Sequence, residues 1–217
     1  MPLVLDTVIF DDSMLGIWSI EEDESFFYDH LELSEEEKTL FEDYKGKNRL
    51  EWLSSRHLIH LMSQRDQRAE ILKDKFGKPF IQDSDHHISF SHSHGMSAAV
   101  ASKSRVGVDI QLIVPKITRI RHKYVNVNED VFIDEAESTF ELEMFHVIWG
   151  IKESMYKAYG IRGLDFKKNM DVRNISKTTN DLYKGNSTLI KDDYQMNFQF
   201  EAFKLDQHVL VYAIEVI

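Results

Sequence analysis

Apolar positions along the chain follow two periods, and their changeovers mark the elements. Residues 3–20 alternate loosely, with Val4, Val8, Phe10, Leu15, Ile17 and Trp18 apolar, and predict one or two strands. Ser34-Glu35-Glu36-Glu37 has the Ser-x-x-Glu spacing of a capping box and puts acids on the first turn of a helix reaching about Tyr44. A second helix is predicted over residues 47–62, where Leu50, Leu53, Leu58, Ile59 and Leu61 are among the apolar positions. Residues 69–75 read as helix-like and lead through Gly77-Lys78-Pro79 into the apolar pair Phe80-Ile81.

Ala98-Ala99-Val100-Ala101 and Val106-Gly107-Val108-Asp109-Ile110 are short apolar runs, and the polar residues 102–105 between them suit a hairpin. In the second run Val106, Val108 and Ile110 share one face, so Gly107, Asp109 and Gln111 share the other. Residues 113–139 show no regular pattern. From 141 to 159 there is no proline, Gly150 is the interior glycine, and Gly160 stands where a helix cap would. On that helix Trp149, Glu153 and Lys157 form one ridge, with Lys152 and Tyr156 beside it. Gly163-Leu164-Asp165-Phe166 reads as a loop, and residues 198–203 and 209–214 as a terminal strand pair.

At 217 residues and 42% hydrophobic, the chain can bury a core as one domain or two small lobes. No run approaches the roughly 20 apolar residues of a membrane-spanning helix, and residues 1–10 lack the basic start and apolar centre of a signal peptide. Cysteine is absent, which excludes disulfides and thiolate chemistry and fits a cytoplasmic protein. A net charge of −11 argues against a nucleic-acid binder that neutralises phosphates wholesale. Local basic clusters at Lys45, Lys47, Arg49 and Arg56, and at Lys116, Arg119, Arg121 and Lys123, still leave anionic ligands open.

Two carboxylates on facing elements are the simplest holder for a hard cation. Mg²⁺ takes oxygen ligands, usually one or two carboxylates with water and substrate phosphates. Asp109 and Glu153 fit that description, Gln111 could add a neutral carbonyl oxygen, and Lys157 could meet a phosphate on the metal. The alternative is an ordinary Glu and Lys pair on a solvated helix and an aspartate ending a strand. His86, His87, His92 and His94 crowd one stretch and invite a transition-metal reading. Against it, His86 and His87 fall in a predicted loop while His92 and His94 lie at a strand end.

Gly-Val-Asp-Ile at 107–110 followed by Trp-x-x-Lys-Glu-x-x-x-Lys at 149–157 resembles the signature of the 4′-phosphopantetheinyl transferases, in particular the long, surfactin-type members. Phe76-Gly77-Lys78-Pro79 is similar to the family's Gly-Lys-Pro loop, and Ser89-Phe90-Ser91-His92-Ser93 to its Ser-His-Ser strand end. The resemblance implies an α+β fold of two similar lobes, residues 1–105 and 106–217, related by a pseudo-twofold with coenzyme A between them. It implies a monomer that transfers 4′-phosphopantetheine from coenzyme A to a serine of an acyl or peptidyl carrier protein, with Mg²⁺, or alternatively Mn²⁺, held by Asp109 and Glu153.

By the same resemblance Arg56, or as second choice Arg49, meets the nucleotide end of coenzyme A. Lys78 and Pro79 present the loop to it, and Ser91, His92 and Lys157 contact its phosphates. Lys152 stands in the motif with a structural and a catalytic role both open. Where this chain has Gln111, many long members have glutamate; the expectation is a site one negative charge short, with weaker or altered metal preference. A competing reading keeps the fold and its coenzyme A or carrier binding but loses turnover, and Gln111 alone argues for it.

Overall fold

The computed structural model describes residues 2–136, 140–178 and 182–216; the end of the irregular stretch, residues 137–139, lies outside them. The chain divides into two compact units, Met1–Lys103 and Ser104–Ile217. Both mix helices with an antiparallel sheet, as the α+β reading expects.

In the first unit the amino-terminal alternation becomes β1 (Leu3–Ile9) and β2 (Ser13–Ser19), joined through a single 3-10 turn. Next come α1 (Glu24–Leu31), α2 (Glu35–Glu42) and α3 (Lys47–Met62), then β3 (Ile71–Lys73), β4 (Pro79–Ile81), β5 (His87–Ser93) and β6 (Met96–Ser102). The sheet order is β1-β2-β6-β5-β4-β3. The capping box forms as its spacing requires: Ser34 accepts from the Glu37 amide, and the Glu37 carboxylate reaches back to the Ser34 amide. The stretch expected to be helix-like at 69–75 is instead the short strand β3, because Gly77 adopts a left-handed φ of 90° and turns the chain back into β4.

α3 packs on the sheet and is buried almost all round between Glu51 and Ile59. Its polar residues survive burial by local pairing: Ser54 meets Ser97 of β6 at 2.6 Å and Ser55 donates to the Glu51 carbonyl at 2.7 Å. Apolar residues of α1, α2 and α3, among them Phe27, Phe41, Leu53 and Leu58, close the core against β5 and β6.

The second unit opens with β7 (Val106–Leu112), a 3-10 segment (Pro115–Ile120), α4 (Arg121–Tyr124) and α5 (Asp130–Asp134). It continues with α6 (Glu141–Tyr159), α7 (Phe166–Asn169), β8 (Met170–Lys177), β9 (Leu182–Lys191), β10 (Tyr194–Leu205) and β11 (His208–Val216). Sheet order is β7-β11-β10-β9-β8. The expected hairpin between the apolar runs at 98–101 and 106–110 does not form. Both edges of β6 are taken by β2 and β5, whereas β7 pairs with β11 some hundred residues on, so residues 103–105 are a link between sheets.

α6 runs over β7 and β11 and ends at Gly160, whose φ of 77° supplies the left-handed cap. Two glycines set the distance between helix and strand. A Cβ on Gly107 would lie 1.9 Å from the Ser154 carbonyl oxygen, and one on Gly150 would lie 2.5 Å from Val211. Only bare backbone at 107 lets α6 come this close, and Ser154 then donates to the Val211 carbonyl at 3.1 Å. That contact brings the next turn of the helix over Asp109.

Candidate active site

Asp109 and Gln111 share a face of β7, as the strand period requires, and α6 lays Glu153 and Lys157 over it. Lys157 Nζ donates to Asp109 Oδ1 at 2.8 Å and to the Val108 carbonyl at 2.9 Å. Gln111 Nε2 donates to Asp109 Oδ2 at 3.1 Å. Both carboxylate oxygens of Asp109 are therefore held, in a side chain that is nearly buried. Glu153 has a different environment. Burial first, and the Asp109 charge second, push its carboxyl from 4.5 up to about 7, with Lys157 pulling the other way.

This donor set fits a hard divalent cation. Asp109 has a lysine and an amide as partners, while burial and the Asp109 charge raise the Glu153 carboxyl toward neutrality. A cation between the two acids would offset both. The amide of Gln111 is turned the other way from the expected ligand geometry: its nitrogen faces Asp109, and its carbonyl oxygen lies 2.8 Å from His146 Nδ1. Among the described residues, no three His, Asp or Glu side chains gather as a metal site. The histidines of residues 86–94 have separate neighbours: His86 meets Asp85 at 3.0 Å, His92 meets Glu51 at 3.1 Å, and His94 meets Ser93 at 3.1 Å.

Trp149, Glu153 and Tyr156, the ridge expected from sequence and its neighbour, open onto a cavity of ≈ 840 Å³. His122, Asp165, Phe166 and three lysines, Lys123, Lys167 and Lys168, also line it, so its lysines outnumber its two acids, Glu153 and Asp165.

Lys152 points away from this ridge. It is fully buried, and its Nζ donates to the Tyr124 carbonyl at 2.6 Å, Glu129 at 2.7 Å, the Met170 carbonyl at 3.0 Å and the Phe166 carbonyl at 3.1 Å. Glu129, also fully buried, accepts in addition from the Asn126 and Val172 amides at 2.9 Å. Burial drives Lys152 down and Glu129 up, and each holds the other back. The pair ties the segment around α4 and α5 to α6 and β8. Of the two roles open for Lys152, this geometry suits the structural one: the acceptors of its ammonium are three backbone carbonyls and the buried Glu129.

In the first unit, Arg56 and His92 line a smaller cavity of ≈ 290 Å³ with Trp52, Lys73 and Phe90. The Arg56 guanidinium stacks 3.3 Å from the Trp52 ring centroid, and its Nε lies 3.7 Å from Glu37. Burial lowers Arg56 to about 10, so it stays a cation at neutral pH. Arg49 does not join it: both its Nε and Nη2 are committed to Glu24, at 2.7 and 2.8 Å, and it stacks on Phe41. Ser91 and His92, neighbours on β5, project to opposite faces, with His92 and Phe90 on the face that α3 covers. Lys78 sits in the β3 to β4 turn, where its amide donates to Asp74 at 2.9 Å, and Pro79 opens β4 opposite Lys73.

Sequence reasoning passed over His146, Glu129 and Trp52, and placed Lys73 only in a basic cluster with Arg65, Arg68, Lys75 and Lys78. For His146 a signal existed: residues 146, 150, 153 and 157 fall on one stripe of α6 at i, i+4, i+7 and i+11. Glu129 lies in the stretch with no periodicity, and Lys73 in the segment taken for helix.

A family model described as the 4′-phosphopantetheinyl transferase superfamily matches residues 105–213, just over half of the chain. The 4′-phosphopantetheinyl transferase gsp of Aneurinibacillus migulanus is 28% identical over 154 residues, covering 71% of this chain and 64% of that protein. The L-aminoadipate-semialdehyde dehydrogenase-phosphopantetheinyl transferases of Rattus norvegicus and Homo sapiens are each 27% identical, over 52% and 62% of this chain and 40% and 49% of their own lengths. The matches thus span between two fifths and two thirds of these relatives. No helix among the described residues is long and apolar enough to cross a membrane.

Proposed function

Since the chain belongs to the 4′-phosphopantetheinyl transferase superfamily, we propose that it moves the 4′-phosphopantetheine group of coenzyme A onto a serine of an acyl or peptidyl carrier protein and releases adenosine 3′,5′-bisphosphate. The observation that carries this reading is the Asp109, Glu153 and Lys157 constellation, joined across β7 and α6 by the 2.8 Å contact of Lys157 with Asp109. Its members are the acids and the lysine of the two motifs, and their chemistry suits a pyrophosphate bound with a divalent cation.

In the reaction, the serine oxygen bonds to the phosphorus nearest the pantetheine and the bond from that phosphorus to the pyrophosphate bridging oxygen breaks. The electron pair leaves with the bisphosphate, and the serine proton must go to a base. Both substrates are anionic, so the barrier is one of repulsion and positioning. Mg²⁺, or Mn²⁺ in its place, held by Asp109 and Glu153, would neutralise charge on the pyrophosphate.

Glu153, which lies with Asp109 and Lys157 where the two motifs meet, or a water on the metal, is the candidate to take the serine proton. Lys157 serves the phosphate oxygens as a partly exposed ammonium whose position Asp109 holds. In the first unit Arg56, stacked on Trp52 and flanked by Lys73 and His92, is suited to the nucleotide end of coenzyme A. The cations around the Trp149 and Tyr156 cavity, with the clusters at 45–56 and 116–123, suit an acidic carrier.

The test is intact mass spectrometry of several apo carrier proteins incubated with the protein, coenzyme A and Mg²⁺, beside Asp109→Ala and Glu153→Gln. A phosphopantetheine mass gain lost in both variants is expected. No gain on any carrier, with coenzyme A still bound, assigns the fold to binding alone.

A further inference from the structure

The amide of Gln111 has one orientation that satisfies its neighbours. Its nitrogen lies 3.1 Å from Asp109 Oδ2 and 3.2 Å from the His146 carbonyl oxygen, both acceptors, so the nitrogen must be there and the carbonyl oxygen must face His146 Nδ1 at 2.8 Å. An oxygen facing Nδ1 requires the imidazole proton on Nδ1. His146 Nε2 is then an acceptor, and it receives the Val114 amide at 3.0 Å while lying 3.1 Å from the Val114 carbonyl. The ring is 2% exposed, and burial favours its neutral form. The Val114 amide, the His146 ring, the Gln111 amide and the Asp109 carboxylate thus form one directed chain, outside which the Val114 carbonyl accepts from the Ile117 amide at 3.3 Å.

We propose that His146 is a positioning residue for Asp109: it locks the Gln111 amide as a hydrogen-bond donor to Oδ2, and so presents the Asp109 carboxylate to the cation in one rotamer. Gln111 then supports a ligand and does not act as one. With Lys157 on Oδ1 and Gln111 on Oδ2, the carboxylate plane cannot turn without breaking a bond. The inference rests on the metal-site part of the function proposed above, and its test reads metal binding independently of transfer.

Two substitutions separate the halves of the ring. Asparagine at 146 offers a donor near Nδ1 and nothing near Nε2; glutamine offers an acceptor near Nε2 and nothing near Nδ1. Mn²⁺ binding by the intact chain is followed by the electron paramagnetic resonance of free Mn²⁺, with denaturation midpoints measured in parallel.

His146→Gln is expected to keep the Val114 contact and to weaken Mn²⁺ binding about tenfold, the lower end for loss of an outer partner. His146→Asn should bind within about twofold of the unmodified chain even where its midpoint falls. On a Gln111→Ala background, His146→Gln should change nothing further. The inference is overturned if Mn²⁺ binding ignores both substitutions, or weakens with asparagine and not glutamine, or weakens equally with both. Tighter binding in His146→Gln overturns it too, because the amide has then turned its oxygen to the ion. Absence of any Mn²⁺ binding that Asp109→Ala abolishes is a different result: it removes the metal site itself, and this inference with it.

Discussion

Replacing Glu153 with glutamine should stabilise the metal-free protein while abolishing its proposed activity. The Glu153 carboxyl is displaced from 4.5 to about 7 by burial and by Asp109. An unfolded chain loses this proton near 4.5, but the folded one keeps it until about 7. Across that window the folded state binds more protons, so stability falls as pH rises, and the whole cost is present above 7. Each unit of displacement corresponds to about 1.4 kcal/mol, which puts the cost at no more than about 3 kcal/mol, less whatever solvent screening the partly exposed side chain enjoys.

Glutamine has nearly the same shape and no charge to bury. In a chelator at pH 8, Glu153→Gln should raise stability by up to about 3 kcal/mol, equivalent to roughly 6–12 °C in Tm for a chain of this size. At pH 4.5 the two proteins should nearly coincide, since the glutamate is protonated when folded. Adding Mg²⁺ at pH 8 should reverse the ranking, because only the unmodified protein has both acids to bind it. Thermal and urea unfolding at the two pH values check this. Equal stability at pH 8, or a gain of the same size at pH 4.5, would refute the account of Glu153 as an acid that folding partly desolvates beside Asp109.

Three further outcomes follow from buried contacts. Lys152→Met leaves Glu129 charged and unpaired in the interior and should cost about 3–5 kcal/mol by denaturant unfolding, while adding Glu129→Gln should recover most of it; a Lys152→Met single variant of native stability would mean the ammonium is not a buried tie. Gly107→Ala sets a methyl 1.9 Å from a backbone carbonyl that cannot swing aside, so its cost should reach or exceed the roughly 3 kcal/mol upper end of ordinary overpacking. His57, packed among Trp18, Phe26 and Phe27, is lowered by burial from 6.5 to about 4, so it stays neutral when folded and charges readily when unfolded. Its share of stability, up to about 3 kcal/mol, is complete above pH 6.5 and lost as pH falls toward 4, and His57→Met should flatten that part of the pH profile.

What could be read from the chain is what local period dictates. The capping box starts α2 at Glu35, α3 spans Lys47–Met62, and α6 ends against Gly160, each as its pattern predicts. Asp109, Glu153 and Lys157 converge because a strand repeats every two residues and a helix every three to four, so one face of each element was already legible. Pairing between strands is not local. The link at 103–105 has the composition of a hairpin turn, and only the distant β11 reveals that β7 belongs to another sheet. β8 and β9 escaped notice because much of their outward face is polar.

The side chains whose roles the sequence left open share one cause. Arg49 and Arg56 look equivalent on the helix wheel until α1 presents Glu24 to the first of them, and α1 itself was not foreseen. Lys152 looks catalytic or structural until Glu129 appears beside it from the stretch without periodicity. Gln111 reads as a ligand from the motif alone, and the structure sets its oxygen 2.8 Å from His146 Nδ1. In each pair the motif residue was visible and its partner was not, and the partner decides whether a charge or an amide is available to a substrate. A motif therefore locates chemistry to a face, but the assignment of roles within it waits on neighbours that lie tens of residues away in the chain.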